Sequence, residues 1–181
     1  EGDVRDPHYT RRDMRIIRSD AQKRYSVRVA FPVDARQTME DGSWWPALTR
    51  AFAGIIDRNT STLFFGNSRR TVERVTRFIN ELEGADLAWL HHGSLSREIR
   101  LAVEERLKSG ELKAIVATSS LELGIDIGEL DRVVLIGTPP SVMSAVQRLG
   151  RAGHSVGHES RSDIYPLHGT DFLDAAVMAR A

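Results

Sequence analysis

From residue 61 to about residue 150 the chain repeats one unit: a short unbroken apolar run, a polar turn, then a helix-length stretch with a single apolar stripe. Leu63-Phe64-Phe65, Leu87 to Leu90, Ala114 to Ala117 and Val133 to Ile136 are apolar at every position, which suits strands buried on both faces. Between them, Val72, Val75, Phe78, Ile79 and Leu82 share one helical face, as do Ile99, Val103 and Leu107, and then Val142, Ala145, Val146 and Leu149. Ser68, Ser96 and Ser141 stand where helix N-caps belong, because a short hydroxyl side chain accepts from the amides that the first turn leaves unpaired. Strand and helix alternating in this way predict an α/β fold: a parallel sheet, right-handed crossovers and helices on both faces.

The first 60 residues have another rhythm. Tyr25, Val27, Val29 and Phe31 alternate with Ser26, Arg28 and Ala30, the pattern of a strand with one wet face, and Met14 to Ile17 is a candidate hairpin partner across Ser19 to Lys23. Trp45, Leu48, Phe52, Ile55 and Ile56 then form a helical stripe. Both segments are expected to extend the flank of the sheet, and Trp44-Trp45-Pro46 is read as a packing anchor at a helix start rather than a base-stacking platform. A last apolar-periodic stretch, Phe172, Leu173, Ala176 and Val177, predicts a C-terminal helix from about residue 169. It reaches Ala181 with no Gly or Pro stop signal, and the chain lacks an initiating Met, so it reads as one domain excised from a larger protein.

In a parallel sheet, ligands gather at the carboxyl ends of the strands. The turns expected there are Gly66-Asn67-Ser68-Arg69, His91-His92-Gly93-Ser94, Thr118-Ser119-Ser120 and Gly137-Thr138-Pro139. Small, hydroxyl-bearing and cationic residues therefore collect on one rim. After the fourth helical stretch comes Gln147-Arg148-Leu149-Gly150-Arg151-Ala152-Gly153-His154, which sets guanidinium groups among small residues. Such a fork suits charge spread over phosphoryl oxygens.

Composition narrows the classes. The 181 residues carry 25 Lys plus Arg against 25 Asp plus Glu, so any nucleic-acid contact must be a local patch rather than a property of the whole surface. No apolar run approaches the roughly 20 residues of a membrane span, and the absence of cysteine removes thiolate metal sites and fits a reducing, cytoplasmic setting. The nucleotide-cradling pattern G-x-x-x-x-G-K-[ST], an Asp-Glu pair, the dinucleotide fingerprint G-x-G-x-x-G and the G-x-S-x-G hydrolase elbow are all missing. His154 and His158 have the spacing of a metal pair, but Gly153 and Gly157 argue against a continuous helix, and no metal site is expected. What remains is half of a phosphoryl-transfer site: phosphate-binding turns and a cationic terminus without a cradle of their own.

These residues resemble the helicase motifs of superfamily 2. Ala117 to Gly128 resembles motif V, Gln147 to His154 motif VI, Thr62 to Arg69 motif IV and His92 to Arg100 motif IVa, in the family's order. Their wording, with Ser68-Arg69-Arg70, His91-His92-Gly93-Ser94-Leu95, Ser119 to Gly124 and a closing Gly-His, is similar to the large helicase-related (Lhr) family. The likeness extends to the N-terminal segment, Trp45-Pro46 and Asp171 to Val177, nearly the whole chain.

The resemblance implies a second RecA-like domain of an ATP-dependent helicase. Its expected parts are an N-terminal hairpin and helix over 1–60, a βα core over 61–168 and a C-terminal helix over 169–181. ATP with magnesium would be held mainly by a first RecA-like domain of the same polypeptide, and the partner would be single-stranded DNA, a DNA duplex or an RNA-DNA duplex. By the same resemblance Arg151 is the arginine finger, Gln147 faces the γ-phosphate or its attacking water, Gly124 admits the nucleotide and Asp126 meets the ribose. Ser68, Arg69, His92, Gly93, Arg100, Thr118 and Ser119 correspond to positions that hold the strand. His154 stands where many relatives carry a second arginine, and Arg97 where many carry Gln. Two other readings accompany this one: a catalytically silent nucleic-acid-binding or scaffold module of the same fold, and a doubly wound transferase, for which Gly66-Asn67-Ser68-Arg69 is a poor phosphate loop.

Overall fold

The computed structural model describes residues 25–32, 43–122, 128, 130–152 and 160–180. In chain order the elements are β1 (Tyr25–Val29), α1 (Trp45–Asp57), β2 (Thr62–Gly66), α2 (Arg69–Glu83), β3 (Ala88–His91), α3 (Arg97–Lys108), β4 (Ala114–Ala117), a 3-10 turn (Ser119–Leu121), β5 (Arg132–Ile136), α4 (Val142–Leu149), β6 (Ser160–Tyr165) and α5 (Gly169–Met178). The strands form one six-stranded sheet in the order β1-β6-β5-β2-β4-β3. Every pairing is parallel. This is the parallel α/β sheet that the alternation of apolar runs and amphipathic stretches predicts, and the RecA-like fold that the family resemblance implies.

The period of two along each strand decides which core a side chain joins. Leu63, Phe65, Ile115, Val133 and Leu135 face one layer, where Val103 and Leu107 of α3, Leu149 of α4 and Ala175 of α5 cover them. Phe64, Val116, Val134 and Ile136 face the other, against Leu48, Phe52 and Ile56 of α1 and Val72, Val75 and Ile79 of α2. Phe52, Phe64 and Phe65 are fully enclosed, each contributing on the order of 1.5–3 kcal/mol by removal of apolar surface from water. Ser68, Ser96 and Ser141 all cap as expected, accepting from the amides of Thr71, Ile99 and Ser144. At the far edge Asn80 of α2 lends its side-chain amide to Ala88 as a substitute strand, donating to the carbonyl at 3.0 Å and accepting from the N–H at 2.8 Å.

Three of the expected helix faces have members left outside the core, one end residue each on α2 and α3 and two valines on α4. Leu82, Ile99, Val142 and Val146 are between 45% and 51% exposed although each lies on its helix's apolar stripe. On α4 the reason is chemical: the helix turns Ser144, Ala145, Arg148 and Leu149 inward, so a cation takes a place that periodicity assigned to a valine. The tryptophans behave as anchors, Trp44 against Phe31 and Trp45 against Phe78 with the Arg74 guanidinium over its ring. The proposed hairpin partner Met14 to Ile17 lies outside the described residues.

β6 is the strand that apolar periodicity misses. Its Ser160-Arg161-Ser162-Asp163 start carries no apolar run, yet it runs between β1 and β5. Asp163 is wholly buried there, accepting from Arg28 Nε at 2.7 Å through one oxygen and from Arg132 Nε at 2.9 Å and a terminal nitrogen at 2.5 Å through the other. A carboxylate without water needs such compensation. We expect Asp163→Ala to destabilise the chain by about 2–4 kcal/mol, because the largely enclosed Arg132 loses its counter-ion. Arg28→Ala removes a side chain 65% exposed and is expected to change stability by less than about 1 kcal/mol; urea denaturation of both variants checks the ordering.

Candidate functional site

Because all strands run the same way, the turns after β5, β2, β4 and β3 stand in that order along one rim. Local sequence shapes each turn. Gly66 ends β2 where an added Cβ would meet Val72 Cγ1 at 2.7 Å, so this turn is pressed against its own helix rather than hollowed into a phosphate cradle. Gly137 ends β5 at φ +79°, a left-handed conformation that favours glycine. It turns the chain toward Thr138, whose hydroxyl donates to the Asp171 carbonyl at 3.0 Å and whose amide approaches the Asp171 side chain.

One polar network ties the rim together. Arg148 is 2% exposed on α4. Its Nε donates to Glu122 Oε1 at 2.7 Å, a terminal nitrogen donates to Asn67 Oδ1 at 2.8 Å, and its guanidinium lies over the Phe65 ring. Ser144 donates to the same Glu122 oxygen, while Asn67 passes the chain on by donating to the Thr138 carbonyl at 2.7 Å. Arg151, half-buried just beyond α4, places Nε and a terminal nitrogen 3.2 and 2.7 Å from the main-chain oxygen of Glu122. Thus the turns after β2, β4 and β5 are cross-linked through the end of α4, and the pivot is a buried cation that periodicity would have made apolar. Arg148 lies beside the expected candidates Gln147 and Arg151, and only its neighbourhood separates structure from chemistry.

The other expected residues divide by environment. Arg69, whose side chain is 61% exposed, bridges two turns by donating to Ser94 Oγ at 3.2 Å and approaching Glu73 at 3.5 Å. Gly93 is exposed with open space around it, Ser119 is exposed at the start of the 3-10 turn, and Thr118 and Gln147 are half-buried. Ser68 is exposed, but its oxygen is engaged in capping α2. His92, expected among the strand-holding positions, has its side chain enclosed. Its ring is 5% exposed, its Nδ1 accepts from the Ser94 amide at 3.2 Å, and its Nε2 lies 3.3 Å from Glu73 without hydrogen-bond alignment. That ring supports the turn from inside, leaving the main chain of 92–94 as the outward surface. Arg100 is half-buried with Nε enclosed and unbonded. Gly124, Asp126 and His154 lie outside the described residues, and among the described residues no cluster could hold a metal ion.

A further group had no signal in periodicity. His91 is 1% exposed at the end of β3. Its Nδ1 lies 2.8 Å from Ser120 Oγ and its Nε2 2.8 Å from Glu104 Oε1 on α3. Burial pushes its pKa below the usual histidine value, with the Glu104 hydrogen bond and charge acting against that shift and the charges of Arg100 and His92 adding to it.

Comparisons with known proteins bear on the family and the fold. Residues 47–155 match the model of the helicase conserved C-terminal domain. The chain is 38% identical over 195 residues to the Lhr helicase/probable uracil glycosylase of Mycolicibacterium smegmatis, an alignment covering 90% of this chain and 13% of that protein. It is 38% identical over 168 residues to the ATP-dependent helicase Lhr-Core of Methanocaldococcus jannaschii, covering 93% and 20%. A solved structure of Mycobacterium smegmatis helicase Lhr bound to ssDNA and AMP-PNP matches with a TM-score of 0.81 at 43% identity, over 87% of this chain and 21% of that one. The chain therefore spans a fifth or less of the length of these curated relatives.

Two outcomes follow from the buried groups. Arg148→Ala leaves Glu122 and Asn67 without their shared donor and is expected to destabilise by about 3–5 kcal/mol, against less than about 1.5 for the half-buried Arg151→Ala, measured by urea denaturation. Because the folded pKa of His91 is lowered, the unfolded chain binds its proton first on acidification. Stability is therefore expected to fall as pH drops below the unfolded histidine value of about 6.5, with the loss complete below the folded value. His91→Asn should flatten that part of the stability-versus-pH curve.

Proposed function

Because the chain belongs to the helicase conserved C-terminal domain family, with Lhr helicases among its relatives, we propose that it is the second RecA-like domain of an ATP-dependent helicase. In this reading it closes against a first RecA-like domain around magnesium-bound ATP while its rim holds a strand of DNA, alone or within a DNA or RNA-DNA duplex. The observation that carries the proposal is the cross-linked rim, where the turn after β2, the segment after β4 and the end of α4 are joined through Arg148, Glu122 and Asn67. The compact Gly66 turn supports a split site, since that turn forms no cradle for a triphosphate of its own.

Arg151 is the proposed finger. Its fork holds a neutral main-chain oxygen of Glu122, and a phosphoryl oxygen is the stronger acceptor because both partners are then charged. Domain closure exchanges the first contact for the second. Gln147, on the same helix end, orients the γ-phosphate or the attacking water. Gly124, Asp126 and His154 complete the nucleotide face in this reading, with Asp126 accepting from a ribose hydroxyl.

The strand is held by groups that bind phosphate without reading bases: the Thr118 and Ser119 hydroxyls, the main chain at Gly93 and the Arg69 guanidinium. Opening and closing with each ATP cycle then moves the two domains along the strand. The whole chain is the motor domain in this proposal, with 1–60 as its flank, 61–168 as its core and 169–181 as its closing helix.

In the full-length protein, Arg151→Ala is expected to lower strand-stimulated ATP turnover by about 10³-fold or more, while strand affinity changes by less than about threefold. Steady-state hydrolysis and fluorescence-anisotropy binding to a single-stranded oligonucleotide read the two effects separately. Near-normal turnover would remove the finger assignment. Absence of strand stimulation in the unsubstituted protein would favour the silent module.

A further inference from the structure

We propose that His91 is a positioning residue that locks the Thr118–Leu121 turn to the turn after β3, so that both present their phosphate-binding groups to one nucleic-acid strand as a single unit; this rests on the reading of the rim given above. The ladder between β3 and β4 ends at the pair His91 and Ala117. Beyond it, the Thr118 amide donates to the His91 carbonyl at 3.2 Å, and side chains must hold the two turns in register.

The direction of each hydrogen bond follows from the partners. Glu104 presents an oxygen to Nε2, so Nε2 carries the ring proton and Nδ1 is an acceptor. Nδ1 therefore takes the Ser120 hydroxyl proton. With its proton directed into the ring, Ser120 Oγ keeps a lone pair for the Thr118 hydroxyl, which donates to it at 3.4 Å. The chain of bonds runs from Thr118 through Ser120 and His91 to Glu104, joining β3, α3 and the segment after β4. Imidazole suits the place because it is rigid and bonds at opposite edges, one edge toward α3 and the other toward the turn. The charged and titratable groups around it are Glu104 and Arg100 on α3 and the adjacent His92, behind which stands Glu73 of α2.

Serine, histidine and a carboxylate also make up hydrolase triads. Here the Ser120 hydroxyl, besides facing Nδ1, is within donating distance of the carbonyl oxygen of His91 itself at 3.3 Å, so a negative dipole occupies the space beside it. The geometry serves alignment. The Thr118 bond is the longest and weakest member of the chain, which lets that hydroxyl turn outward to a phosphate oxygen while Ser120 stays fixed by the ring.

The test uses the full-length protein, with ATP hydrolysis followed against the concentration of single-stranded oligothymidine. Ser120→Ala and Glu104→Ala are each expected to raise the half-stimulating strand concentration about three- to tenfold, the effect of one lost hydrogen bond. Turnover at saturating strand should stay within about twofold, separating binding from chemistry. Glu104→Gln keeps an acceptor oxygen for Nε2 and should behave as the unsubstituted protein. The double variant Ser120→Ala with Glu104→Ala should be no worse than the worse single one, since both break the same chain.

An unchanged half-stimulating concentration in Ser120→Ala overturns the proposal. So do additive single effects, or a Glu104→Gln variant as impaired as Glu104→Ala. Thermal unfolding accompanies each assay, and Ser120→Ala, which removes one oxygen from a half-buried site, remains readable if Glu104→Ala fails to fold. Lack of strand stimulation in the unsubstituted protein overturns the helicase reading itself, an outcome distinct from any confined to the variants.

Discussion

All six strands of this sheet point the same way, and that constraint organises the rest of the molecule. A parallel sheet is buried on both faces, so its central strands must be apolar throughout and helices must lie on either side. It also delivers every strand's carboxyl end to one rim. The turns after β5, β2, β4 and β3 become neighbours although they are spread over some 70 residues of sequence, from Gly66 to Thr138. A rim of this kind suits phosphate through hydroxyls and main-chain amides, which is why the proposed binding surface lies there rather than on a helix face.

Buried charge then fixes the arrangement. Taking an ion out of water is costly unless geometry supplies partners in full, so each enclosed charge here joins elements far apart in sequence. Asp163 of β6 holds Arg28 of β1 and Arg132 of β5. Arg148 of α4 holds Glu122 and Asn67, and the Glu122 main chain receives Arg151. A displacement at any of these points would strand an unpaired charge, a far steeper penalty than sliding one leucine past another. The proposed catalytic end of α4 is thereby tied to the turns proposed to hold the strand.

Much of the framework was legible before any coordinates. The runs at 63–65, 114–117 and 133–136 became strands within a residue or so at each end, and the three serine caps stand where periodicity put them. Trp44 and Trp45 pack against aromatic partners as anchors do. What stayed hidden was polar and buried. The Ser160 to Asp163 start of β6 has no apolar signal because its stabilisation comes from arginines on two other strands, and no local pattern records a partner 135 residues away. The α4 stripe departs from apolar periodicity for the same reason: Arg148 goes inside because Glu122 and Asn67 meet it there.

The candidate site divides along the same line. Which residue types line the rim follows from sequence alone, since strand length, turn position and motif wording are local properties of the chain, whereas their order along the rim is set by the sheet topology. Whether a side chain reaches outward or braces the turn from within depends on desolvation and on partners that only packing assembles. His92 and Arg69 are both polar residues of rim turns, yet the first is enclosed against Glu73 and Ser94 while the second spans two turns in the open. His91, one residue from His92, gains its role from Glu104 and Ser120, thirteen and twenty-nine positions along the chain. Apolar periodicity specified the sheet because burial of apolar surface is non-directional and depends on the strand's own residues. The polar network was settled in three dimensions because a hydrogen bond needs a particular atom at a particular distance.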